Sequence, residues 1–241
     1  MKSRTKIWLI IAASLFLLGG TLFTVAMTTM NWDFSKLSIS NYETNTHEIT
    51  KTYQNISITT DTANIRILPS ADGKTQVVCH ELDNANHTVT VENGTLTIRL
   101  NDTRPWYERI VIGFGSPTVT VYLPDRAYGD VAIHAVTGDV QLSDLQLESL
   151  SIQAVTGDVS LENVIAAQHF TFLLTTGDVR FDGCDAAEIS IRLTSGDVTG
   201  SLLTEKSFEI KQTTGHVDVP STTGGSCQIT VTTGDIQLTV Q

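Results

Sequence analysis

The side chains best spaced to do chemistry are five carboxylates that recur with one period. The tetrapeptide Thr-Gly-Asp-Val, or a close variant, places its glycine at Gly138, Gly157, Gly177, Gly196, Gly215 and Gly234, at intervals of 19, 20, 19, 19 and 19 residues. The next residue is Asp139, Asp158, Asp178, Asp197 and Asp235, with His216 interrupting the series in the fifth copy. If the copies stack, these carboxylates form a ladder with rungs ~4.8 Å apart, and a stripe of one charge attracts cations or a cationic ligand. Calcium needs six to eight oxygens at one centre, which one Asp per repeat does not supply, so no metal is expected. Turn chemistry is the first explanation of these residues: Gly accepts the positive φ of a tight corner, and Asp accepts nearby backbone N–H groups.

No other constellation competes. The histidines at 47, 80, 87, 134, 169 and 216 lack metal-ligand or catalytic spacing, and Cys79, Cys184 and Cys227 form no CxxC pair. Cys184 and Cys227 fall in apolar columns, where a thiol behaves as a small hydrophobe. Gly113-Phe114-Gly115-Ser116-Pro117 has no helix after it to receive a phosphate. No catalytic residue and no cofactor is expected, and the chain does not read as an enzyme. With 15 basic against 26 acidic residues the net charge is −11, and Lys2, Arg4 and Lys6 all precede the first acidic residue, Asp33, so the remainder is more acidic still. That balance excludes nucleic acid as a partner.

The elements that must carry the five Asp follow from aligning the copies on their glycine. Seven residues before it stand Val131, Leu150, Phe170, Ile189, Phe208 and Cys227; five before it, Ile133, Ile152, Phe172, Ile191, Ile210 and Ile229. Two after it stand Val140, Val159, Val179, Val198, Val217 and Ile236; seven after it, Leu145, Val164, Cys184, Leu203 and Thr222. Polar residues fill the columns between, so each repeat reads as strand, Gly corner, strand and return loop, with one face inward. A 19-residue unit buries that face only against its neighbours. The expectation is an all-β fold: a parallel β-solenoid of about six repeats over residues 126–241, preceded by an irregular β module over 49–125. The alternative is a β-sandwich in which Thr-Gly-Asp closes hairpins. In the irregular module Ile56-Ser57-Ile58, Ile65-Arg66-Ile67, Val89-Thr90-Val91, Leu96-Thr97-Ile98, Ile110-Val111-Ile112 and Val119-Thr120-Val121 read as strands.

Residues 7–27 are uncharged and apolar, long enough to cross ~30 Å of hydrocarbon. Residues 1–6 then read as a cytoplasmic tip held by Lys2, Arg4 and Lys6, 7–27 as a transmembrane signal anchor, 28–48 as a linker, and everything beyond as extracytoplasmic. The last repeat runs through Ile229, Val231, Ile236, Leu238 and Val240 to Gln241 without a polar cap, which predicts an open edge at which a second copy could pair end to end.

The apolar start, the β region ending in Val119-Thr120-Val121-Tyr122-Leu123-Pro124 and the following Thr-Gly-Asp-Val series resemble the β-strand-repeat putative-adhesin family of bacterial cell-envelope proteins, a family with a domain of unknown function that includes Lia-type envelope-stress relatives. The resemblance covers about residues 49–241. It implies a single-pass location in the cell membrane and carries no catalytic residues. The expected function is an envelope interaction module binding a wall polymer, a cationic peptide or another envelope protein, with Asp139, Asp158, Asp178, Asp197 and Asp235 as binding candidates. The alternative is a sensory or regulatory partner in a cell-envelope stress response.

Overall fold

A computed structural model describes residues 3–29, 31–32, 42–104 and 116–241. The expected strand at Ile110-Val111-Ile112 lies outside the described residues. The chain divides into two units, residues 1–41 with 106–115, and residues 42–105 with 116–241.

In the first unit, helix α1 (Ser3–Thr29) contains a stretch, Ile7–Thr29, long and apolar enough to cross a membrane. The hydroxyls of Thr21, Thr24, Thr28 and Thr29 donate to carbonyls three or four residues back. These polar groups are therefore satisfied within the helix itself, as an apolar surrounding demands.

The second unit is all β. Its first nine strands are β1 (Tyr42–Ile49), β2 (Asn55–Thr60), β3 (Asn64–Pro69), β4 (Thr75–Leu82), β5 (Ala85–Glu92), β6 (Thr95–Asp102), β7 (Thr118–Leu123), β8 (Ala127–Thr137) and β9 (Val140–Thr156). Strand β1, up to Glu48, occupies residues expected to be linker. Eight of the nine close a ring: β9 pairs β3, then β7, β4, β5, β6, β2 and β8 follow, and β8 pairs β9 again. The β4–β7, β4–β5 and β5–β6 pairings are antiparallel, and the other five are parallel. The ring closes between β4 and β5 through the Leu82–Ala85 pairing alone.

This closed eight-stranded barrel, with further strands outside it, corrects the expectation of a parallel β-solenoid following a separate β module. The residues on either side of 125 share one closed set of hydrogen bonds, because β8 and β9 each take one neighbour from the N-terminal strands. The β-sandwich alternative fails too: the segments next to each Thr-Gly-Asp corner, such as 131–137 and 140–143, do not fold back on each other as a hairpin, and each pairs in parallel with the equivalent segment of a neighbouring repeat.

Outside the barrel lie β10 (Val159–Thr176), β11 (Val179–Ser195), β12 (Val198–Leu202), β13 (Lys206–Thr214), β14 (Val217–Asp218), β15 (Gly225–Thr233) and β16 (Ile236–Val240). Between β12 and β13 and between β14 and β15 the return is a loop as expected, whereas in β9, β10 and β11 the expected return loop is a bend within one long strand. Asp144 and Asn163, at φ of 53° and 52°, and Gly183, at 60°, turn the chain there, and Asn163 donates to Asp144 Oδ1 at 3.0 Å.

Period-two alternation delivers the inward columns as read, with Val131, Leu150, Phe170, Ile189 and Cys227 all buried. Phe170, Phe172 and Phe181 fill the middle of the stack, their ring centroids 5.8 to 6.2 Å apart. Leu203 breaks its column: a register shift before Cys184 brings Leu202 opposite it instead, so Leu202 is buried and Leu203 is exposed.

Spatial order departs from chain order at the far end. The last repeat, β15 and β16, pairs with β11 and β12 on one side and with β13 and β14 on the other. It is inserted between the fourth and fifth repeats. The expected open edge at Ile236–Gln241 is therefore corrected at Ile236 and Gln237, which β14 covers, and the outermost rung is the fifth repeat. That repeat suits the position, since Val217 and Asp218 are exposed, Phe208 and Ile210 are only partly buried, and Lys211 pairs with Glu209 at 3.1 Å. Charged, poorly buried strands with a following proline, here Pro220, blunt a sheet edge.

A side chain clamps the inserted rung. Lys206 on β13 lies opposite Gly225 on β15, and its Nζ passes that glycine to reach Asp185 Oδ1 at 2.6 Å and Thr204 Oγ1 at 2.6 Å. A Cβ on Gly225 would meet Nζ at 3.4 Å and the Ala187 carbonyl at 2.5 Å, so the glycine leaves the passage open.

Candidate functional site

The corner glycines take φ between 133° and 145°, a region open to glycine. Their lack of a side chain also lets successive corners touch: a Cβ on Gly157 would stand 2.1 Å from the Gly138 carbonyl oxygen, and one on Gly177 2.1 Å from that of Gly157. This close stacking puts each Asp within reach of the next rung. Asp158 N–H donates to Asp139 Oδ1 at 3.0 Å, Asp178 N–H to Asp158 Oδ1 at 2.8 Å, and Asp197 N–H to Asp178 Oδ1 at 2.8 Å. Asp235 N–H then donates to Asp197 Oδ1 at 2.7 Å, and His216 N–H to Asp235 Oδ1 at 2.7 Å.

All five predicted residues thus come together in one continuous ladder. His216 does not interrupt it. Because the sixth repeat is inserted before the fifth, His216 is the terminal rung, where no following N–H needs an acceptor. Sequence reasoning missed the other end: Asp139 N–H donates to Asn64 Oδ1 at 3.0 Å, so Thr62-Ala63-Asn64-Ile65 is a degenerate copy of the corner. Its signal was weak, because Ala63 replaces the glycine and residues 70–116 separate it from the regular series.

Each ladder Asp commits Oδ1 to the backbone, and Asp139, Asp158, Asp178 and Asp235 are exposed to solvent. The arrangement offers an acidic stripe with one carboxylate per rung. It holds no paired acid and base and no converging ligand set. Beside it runs the outward face of the long strands, largely Ser, Thr and Gln. On this face Val136 and Val155 are each 49% exposed and Leu173 is 48% exposed. They border an open groove of about 320 Å³ that also takes in His134, Gln153 and Asp61.

Among the described residues, the one group of three metal-ligating side chains that converges lies elsewhere: Cys79, Glu81 and His87, all buried. Sequence reasoning passed over this group, although the alternation carried a signal for it. Cys79 and Glu81 continue the inward phase of Thr75 and Val77, and His87 that of Ala85, so two ionisable side chains stand on an apolar face. Burial, with the Glu81 carboxylate adding to it, pushes the Cys79 thiol up to about 12. Burial does the same to Cys227, also to about 12, and raises Cys184.

The sequence profile of the Toastrack family, DUF4097, matches residues 53–241. Among solved structures, the chain is similar to a putative cell adhesion protein of Clostridium sporogenes, with 10% identity and a TM-score of 0.52 over 84% of this chain and 100% of that one. It is also similar to a putative adhesin of Bacteroides fragilis, with 19% identity and a TM-score of 0.46 over 83% and 97% of the two chains. No curated protein matches it. At such identities the first likeness speaks for the fold.

Proposed function

The chain belongs to the Toastrack family, DUF4097, and from that premise we propose that it is a membrane-anchored, non-enzymatic adhesin-like module of the cell envelope. Residues 7–27 anchor it, Lys2, Arg4 and Lys6 hold the N-terminus on the cytoplasmic side, and the β unit is displayed outside. The observation that carries the reading is the grooved outward face, where Val136, Val155 and Leu173 stand exposed among hydroxyl and amide side chains beside the acidic ladder. An extended partner, a wall polymer or a peptide with cationic groups, lies along such a face, making apolar contacts to the valines and charge contacts to the Asp stripe. The name of the similar Clostridium sporogenes structure, a putative cell adhesion protein, is in keeping with this reading.

The test is retention of the full chain, in detergent, on isolated cell walls and on immobilised envelope proteins. Val136→Asp with Val155→Asp is expected to lower retention at least tenfold without altering the circular dichroism spectrum. Asp158→Asn with Asp178→Asn is expected to weaken only the salt-sensitive part. Wild-type retention in both double variants rejects the face as the binding surface.

A further inference from the structure

The Cys79–Glu81–His87 group occupies the interior of the barrel, with the three residues 0%, 1% and 5% exposed. Its donor atoms lie within 4.8 Å of one another, and its outer atoms are already spoken for. Asn45 Nδ2 donates to Glu81 Oε1 at 2.9 Å, and His87 Nε2 meets Thr60 Oγ1 at 3.1 Å. Glu81 Oε2 and His87 Nδ1 face each other at 2.7 Å, with the Cys79 sulfur beside them, and Oε2 also accepts the His87 backbone N–H at 2.6 Å, which holds it in place with one lone pair still directed at the group. Hydrogen bonds to the far nitrogen of an imidazole and the far oxygen of a carboxylate are what orient the near atoms toward a metal.

We propose that Cys79 Sγ, Glu81 Oε2 and His87 Nδ1 form a three-residue binding site for a divalent cation of the zinc class, bound as the barrel closes. One sulfur, one nitrogen and one oxygen donor select a borderline-soft ion over calcium or magnesium. Ligand atoms around tetrahedral zinc stand about 3.3 Å apart for the nitrogen and oxygen donors, so the Nδ1 and Oε2 atoms separate by roughly half an ångström to admit the ion. The charges also match. A thiolate, a carboxylate and a neutral imidazole carry two negative charges, which a divalent cation cancels, and an uncompensated charge is costly in such an interior. Because the site is sealed, the ion enters during folding, and its binding contributes to the stability of the β4–β5 corner where the ring closes.

The experiment uses the full chain purified in detergent from cultures supplemented with Zn2+ or with Co2+. The expected result is one Zn2+ per chain after dialysis. The Co2+ form should show a thiolate-to-cobalt charge-transfer band in the near ultraviolet and tetrahedral d–d bands in the visible. Cys79→Ser should abolish the charge-transfer band, whereas Cys184→Ser and Cys227→Ser keep it. His87→Gln should cost at least tenfold in Zn2+ affinity. Should Cys79→Ser fail to give the wild-type circular dichroism spectrum, Glu81→Gln, which keeps the amide-compatible shape, is expected to show the same tenfold loss. A correctly folded wild-type chain that retains no Zn2+ and shows no Co2+ band overturns the proposal. So does a band that survives Cys79→Ser.

Discussion

At the scale of single residues, each ladder Asp has a backbone role separable from its charge. Oδ1 accepts one N–H from the next rung, and Asn64 shows that an amide oxygen serves equally, since it accepts from Asp139 at 3.0 Å. Asp178→Asn is therefore expected to leave thermal stability within about 0.5 kcal/mol of wild type. Asp178→Ala, which strands the Asp197 N–H, is expected to cost about 1 kcal/mol. Thermal unfolding of the full chain in detergent measures both, and equal losses in the two variants would show that charge, not acceptance, matters at the corner. The Asp positions were legible because Gly-Asp recurs at a fixed period. Asn64 was not, because a corner that substitutes both residues carries no periodic signal and its role appears only once the rungs are aligned in space.

At the scale of elements, the regular repeats were legible because alternation and period coincide from Val131 to Leu193, and every column there is buried as read. What the period concealed was neighbour order. Every corner but that of His216, which lacks the carboxylate acceptor, offers the same donors and acceptors, so the period alone is indifferent to whether the fifth or the sixth repeat follows the fourth. The choice rests on features that break the pattern. Cys227, Ile229, Val231, Ile236 and Leu238 of the sixth repeat are all buried, as an interior rung requires, while the fifth repeat is the more polar. Lys206 adds a tie across the inserted rung to Asp185, the two side chains 3% and 17% exposed. Lys206→Met removes that tie and leaves the Asp185 carboxylate without its counter-ion, held by the Thr204 hydroxyl and the Ala186 N–H alone, a loss of about 3 kcal/mol for a buried pair. Hydrogen exchange should show it locally, with amides of 206–218 exchanging far faster while those of 159–176 stay protected. Uniform protection in the variant would mean that strand pairing alone holds the outer rung.

At the scale of the whole molecule, the barrel closure was illegible because three of its eight pairings are antiparallel contacts between segments with no shared motif, made through β4 and β5. Burial within the whole gives a pH dependence that a single strand would lack. Burial pushes the folded-state Cys227 thiol up to about 12 from a usual value of 9.0. A raised value means the folded chain keeps the proton after the unfolded chain has lost it. Its contribution is thus complete below pH 9 and is lost as the pH rises toward 12. Cys227→Ala is expected to flatten the alkaline limb of the stability profile over that window, read by denaturant unfolding at stepped pH. An unchanged limb would place the alkaline sensitivity in other groups. The inserted sixth repeat also has a temporal meaning. Residues 206–218 leave the ribosome before residues 225–240, yet among the described residues their only strand partners are β15 and β16. The fifth repeat must therefore wait, or first occupy the place beside β11 and then give it up, so maturation of this end is a displacement and cannot be growth from one end to the other.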